Sequence, residues 1–145
     1  MEKVIKKALQ YFILFCVGAV LYYLIEVLWR GYSFASMGIL GGVSLILVGA
    51  INDSAFTMKM PIWLQMIIGG VIITVLELVC GLVMNQDYHI WDYRNVCCNF
   101  KGQICLPFYF VWCALSLVAI VLQDYLNYFF FEQGEKPHYY FKFQK

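Results

Sequence analysis

The chain has 145 residues, 63% of them hydrophobic and only 13% charged, with a net charge of +1. An ordinary soluble domain is about a quarter charged, so this chain has too little charge to cover a globule in water. Its near-neutral balance gives no electrostatic case for nucleic acid. It reads as an all-α polytopic membrane protein, a single domain over residues 1–145.

A spanning helix needs about 20 mostly apolar residues. The start, MEKVIKKALQYFILFCVGAV, has the lysine-then-apolar order of a signal peptide. The apolar run continues to Trp29 without a small-x-small cleavage site, so an uncleaved first helix is predicted over 9–29, interrupted only by Glu26. The second, over 35–51, is short and rich in glycine (Gly38, Gly41, Gly42, Gly49). At about 1.5 Å per residue it reaches ~25 Å, slightly under the hydrocarbon thickness, so whether it fully spans stays open. The third is predicted over 62–84 and carries Gln65 and Glu77; the fourth, over 107–131, carries Gln123, Asp124 and Asn127. Pro61 and Pro107 stand where these helices begin, the place proline tolerates best. A tail, 132–145, mixes aromatic rings with lysines, as a segment on the inner membrane surface would.

Lys and Arg in the connections set orientation. Lys3, Lys6, Lys7, Lys59, Lys136, Lys142 and Lys145 fall on one side, and Arg30, Arg94 and Lys101 on the other. Both termini are therefore expected in the cytoplasm, with a long polar loop, 85–106, outside the cell. The first and third helices each end with an acid and a connection that returns through glycine (Gly38, Gly102). That pattern suits a parallel repeat about an axis along the membrane normal.

Glu26 and Glu77 are the sharpest chemical signals. A carboxylate in an apolar helix is costly, so it should face the bundle interior or water. Arg30 follows Glu26 by four residues, the favourable order for a local ion pair. Glu77 has no cation three or four residues away, so it holds a proton or takes a partner from elsewhere. The loop offers candidates: His89, Asp92, Arg94, Asn95, Asn99 and Lys101. Its apolar residues, Ile90, Trp91, Tyr93, Val96, Phe100 and Ile104, interleave with the polar ones. A solvated loop needs no such side chains, so the segment is expected to fold back as a lid, with Gly102 allowing close backbone approach. Cys16, Cys80 and Cys113 read as small buried hydrophobes. A Cys98–Cys105 or Cys97–Cys105 disulfide stays open if the loop faces an oxidising compartment. His89 and His138 are isolated, and no phosphate-binding glycine loop occurs. No metal, no cofactor and no ATPase activity of the chain itself are expected.

The motif Trp91-Asp92-Tyr93, then Asn99, then Gly102-Gln103-Ile104-Cys105-Leu106, resembles the bacterial membrane family called putative ABC-transporter type IV. Glu77, Glu26 and Trp112 resemble further family positions, and the likeness covers about residues 11–122. The chain departs from the family in having Gln103 where an Arg is usual, Cys97-Cys98 where Pro-Phe is common, and Ser36-Met37-Gly38-Ile39-Leu40-Gly41-Gly42 in place of Arg-Gly-Phe-Leu and Gly-Pro elements. The resemblance implies a permease in the bacterial cell membrane that works with a separate ATPase. The leading expectation is a transport component that binds a small or cationic solute at an outer-facing acidic pocket. Its residues are Glu77, Glu26, Asp92, Trp91, Tyr93, Asn99 and Arg30. Four short helices enclose little volume, so a homo-oligomer is expected. Two other readings stay open. One is an enzyme acting on a lipid headgroup, with Glu77 and Asp92 as acid and base. The other is a non-catalytic subunit packing on a partner membrane protein through small-residue faces, Gly41–Gly49 and Gly69-Gly70.

Overall fold

The computed structural model describes residues 1–53 and 60–144; Lys59 and Lys145, used above for orientation, lie outside them. Among the described residues four helices are long and apolar enough to cross a membrane. They are α1 (Glu2–Arg30), α2 (Ala35–Gly49, extended by a 3-10 turn Ala50–Asp53), α3 (Ile62–Met84) and α4 (Leu106–Tyr125, extended by a π turn Leu126–Phe130). The bounds of α3 are those predicted. α1 starts seven residues before the predicted Leu9. Lysine is a good helix former, and Lys6 pairs with Glu2 at 2.7 Å one turn away, so the helix runs on past its apolar part. It stops at Gly31, whose φ of 85° is left-handed and whose N–H caps Val27 O.

α2 is the centre of the bundle. Ten of its 15 residues are buried, and it packs on α1, α3 and α4. This explains the glycines: a Cβ on Gly41 would stand 2.3 Å from Tyr22 Cβ, and one on Gly18 only 2.7 Å from Leu45 Cβ. α1 and α2 thus cross with their backbones nearly touching, the close packing that small residues permit between membrane helices. Together with its 3-10 turn α2 is a 19-residue apolar rod, long enough to cross. At that end the buried Gln123 carboxamide, in the orientation that satisfies both its ends, donates to Leu45 O (2.9 Å) and accepts from the Ala50 N–H (3.2 Å).

Both termini lie at one end of the bundle. Gln10 Nε2 donates to Asn127 Oδ1 at 2.8 Å, tying α1 to the end of α4. The tail folds back: the Ile62 N–H donates to Tyr140 O (2.8 Å), and Tyr139 OH donates to Asp124 Oδ2 (3.0 Å).

The opposite end is closed by residues 85–105, and here the expected loop is a folded cap. Two short antiparallel strands, β1 (Asn99–Phe100) and β2 (Ile104–Cys105), pair in register Asn99 with Cys105. Lys101 (φ 52°) and Gly102 (φ 64°) form the turn between them, closed by the Gln103 N–H to Phe100 O (3.1 Å). Positive φ at both central residues is the type I′ pattern that suits a twisted hairpin. Ile90, Trp91, Tyr93 and Cys105 are buried in one cluster with Met37 and Leu40 of α2. All six cysteines are free thiols, so neither disulfide left open above is formed.

Candidate functional site

The buried face of α3 is Ile62, Gln65, Gly69, Gly70, Ile73, Glu77 and Gly81. Steps of three and four residues keep this stripe on one side of a helix, so Glu77 is carried inward. It is 1% exposed. Its two oxygens are met by two neutral donors from different elements. Tyr93 OH of the cap donates to Oε1 at 2.9 Å, and Trp112 Nε1 of α4 donates to Oε2 at 2.9 Å. No cation pairs with Glu77 among the described ion pairs. Burial and the neighbouring carboxylate push the Tyr93 phenol well above its usual range, so it stays a donor.

Aromatic rings fix these donors. Tyr93 stacks on Phe108 with centroids 4.8 Å apart, Phe108 leans on Trp112 at 5.9 Å, and Tyr22 of α1 reaches Trp112 at 6.1 Å. Through this ring contact Tyr22 brings α1 against the Glu77 cluster. Glu26 itself takes the expected local pair: Arg30 Nη2 donates to Oε2 at 2.7 Å, and Ser33 Oγ to the same oxygen at 2.7 Å. Arg30 also donates to Ile90 O and so pins the end of α1 to the cap.

The cap's own order rests on two buried amides: Asn85, which sequence reasoning passed over, and Gln103, noted there only as a departure from the family pattern. Asn85, fully buried, donates to Trp91 O (2.7 Å) and Gln103 Oε1 (3.0 Å) and accepts from the Ile90 N–H (2.8 Å). Gln103 returns a bond to Asn85 O (2.9 Å), and Trp91 Nε1 donates to Gln103 O (2.8 Å). Gln103 is therefore 3% exposed and engaged at both ends of its neutral amide. It seats against Gly81, where a Cβ would come within 2.4 Å of Gln103 Oε1.

The expected loop partners of Glu77 go elsewhere. Arg94 takes Asp92 through Nη2 to Oδ2 at 2.7 Å, which holds that carboxyl below its ordinary range. His89 bonds Asp87. Asn99 is exposed and serves the hairpin: its amide donates to Val96 O (2.8 Å) and accepts from the Gly102 N–H (3.1 Å). Of the seven sequence-chosen residues, Glu77 and Tyr93 meet directly, while Glu26 takes Arg30 and Ser33 as its partners. Trp91 and Arg30 hold the cap, while Asp92 and Asn99 lie on its outer side. Trp112, noted in the sequence only through a family likeness, is a direct partner of Glu77. No signal in an apolar helix separates such a Trp from one facing lipid.

A cleft leads to Glu77 from the side. It is walled by Gly18, Tyr22 and Ile25 of α1 and by Trp112, Val118 and Leu122 of α4, with α2 and α3 as its floor. It holds about 100 Å³ of water-sized space and is almost wholly apolar.

The description of one protein family, putative ABC-transporter type IV, matches residues 13–141. The chain belongs to that family. No curated protein and no solved structure matches it. The type IV match runs from α1 into the tail, beyond the 11–122 span read from motifs. The likeness noted in the sequence for this type IV chain rests on the motif from Trp91 to Leu106 with Asn99, and on Glu77, Glu26 and Trp112. In the fold three of them meet: Tyr93 and Trp112 are the two donors to Glu77.

Proposed function

We propose that the chain is a transport component of the bacterial cell membrane in which a cationic solute engages Glu77. The observation that carries this reading is a carboxylate 1% exposed, held by two neutral donors, with a cleft leading to it. A buried carboxylate with no counter-charge retains a proton or takes up a cation, and intramembrane acids of this kind mark ion and solute paths. Lys3, Lys6, Lys7, Lys136 and Lys142 gather at the end that carries both termini, and Arg30, Arg94 and Lys101 at the cap end. This imbalance supports cytoplasmic termini and an outward-facing cap. Energy would come from a separate ATPase, as the family description implies, and a second copy would complete a pathway too large for four helices.

Reconstituted liposomes test the proposal, with tetraethylammonium as an impermeant probe cation. Flux above that of protein-free liposomes is expected, and Glu77→Gln should reduce it by at least tenfold. Flux that survives Glu77→Gln in folded protein overturns it, as does the absence both of flux, with or without an added ATPase partner, and of any Glu77-dependent cation binding.

A further inference from the structure

We infer that the ligand is a membrane-dissolved alkyl chain bearing a primary ammonium group, entering sideways between α1 and α4. This rests on the assignment of Glu77 as the solute-binding acid. The cap end offers no open route: Trp91, Tyr93 and Cys105 are 8, 9 and 4% exposed, and Arg30 fastens α1 to the cap through Ile90 O. The lateral cleft does reach Glu77, and all its lining residues belong to the four spans.

The cleft has a polar head and an apolar stem. Glu77, Tyr22 and Trp112 are at the end nearer the cap, and the α4 wall continues to Leu122. Ten residues of helix make this wall ~15 Å long, running with the bundle axis as a lipid chain does. Its sides are Leu21, Ile25, Leu45, Ile73, Leu115 and Val118, of which Leu21, Ile25 and Val118 are 41, 45 and 58% exposed. That exposed rim is the opening toward acyl chains.

Chemistry selects the head group. A hydrated metal ion needs about six oxygen ligands, and the cleft supplies one carboxylate. An anion meets Glu77 with like charge. A neutral chain leaves the carboxylate unanswered. An ammonium answers it with opposite charge, and the Ser44 side chain is a further polar group among the residues that line the cleft. The Tyr22 and Trp112 rings beside the acid add cation–π attraction.

The test uses the full chain in phosphatidylcholine nanodiscs and radiolabelled dodecylamine, read against protein-free nanodiscs. Saturable binding of one dodecylamine per chain is expected. Methylamine should compete at least a hundredfold more weakly, since each buried methylene adds affinity, and dodecyl sulfate should not compete. Glu77→Gln and Val118→Trp should each weaken binding tenfold or more; Val118 is exposed, so its replacement leaves the core intact while narrowing the cleft. Equal competition by methylamine shows that the chain does not occupy the cleft, and equal competition by dodecyl sulfate shows a groove blind to charge. Either overturns the inference. If dodecylamine fails to bind while tetraethylammonium flux still depends on Glu77, this inference falls alone. If both fail, the assignment of Glu77 falls with it.

Discussion

Asn85→Ala is expected to destabilise the protein by about 3 kcal/mol or more, measured by reversible unfolding in mixed micelles. The side chain is fully buried and serves Trp91 O, Gln103 Oε1 and the Ile90 N–H at once. Its removal strands those groups out of reach of water, and each buried polar group left without a partner costs about 1–3 kcal/mol. Asn85→Asp should not rescue. A carboxylate accepts from the Ile90 N–H but cannot donate to Trp91 O, and it adds a buried charge. Asn99→Ala, at an exposed hairpin position, should cost only about 1 kcal/mol. Equal effects at the two positions would mean that the cap is not seated as described.

The second large effect is an asymmetry at Glu77. Trp112→Phe keeps most of the packing against Tyr22 and Phe108 but removes the donor to Oε2. It should cost about 1–3 kcal/mol because a buried carboxyl oxygen is left unanswered. Trp112→Ala adds a cavity and should cost about 3–5 kcal/mol. The triple replacement Glu77→Met, Tyr93→Phe, Trp112→Phe removes acceptor and donors together. It should unfold closer to the wild type than Trp112→Phe alone, since an apolar set of similar volume often matches or exceeds a buried polar one. Cation binding should be lost in the triple variant. Such a result separates stability from function: the polar cluster would be dispensable for the fold and necessary for the ligand. Triple-variant destabilisation exceeding that of the single variant would make the cluster a structural one.

The four helices were legible because each is an apolar run near membrane length, and α3 was bounded to the residue. The start of α1 was not, since lysines keep a helix going after the apolar pattern ends. Glu77 was legible as a lone acid in such a run. Its partners were harder. The sequence placed Trp91, Asp92 and Tyr93 in one site, but burial alternates along the three. Trp91 and Tyr93 turn inward and Asp92 outward to Arg94. Trp112 and Tyr22 carried no distinguishing pattern, because aromatic residues in a spanning helix face lipid as readily as a core. Asn85 and Gln103 act through each other across eighteen residues, a pairing that only the folded cap creates.

The reading stands on Glu77 being sheltered from water yet open to the bilayer side. Carbodiimide labelling of intact membranes, mapped by mass spectrometry, tests this most directly. A hydrophobic carbodiimide should modify Glu77, and a charged, water-soluble one should not, while Asp87 in the exposed part of the cap should show the reverse preference. Modification of Glu77 by the water-soluble reagent as readily as by the hydrophobic one would contradict the buried, laterally reached carboxylate.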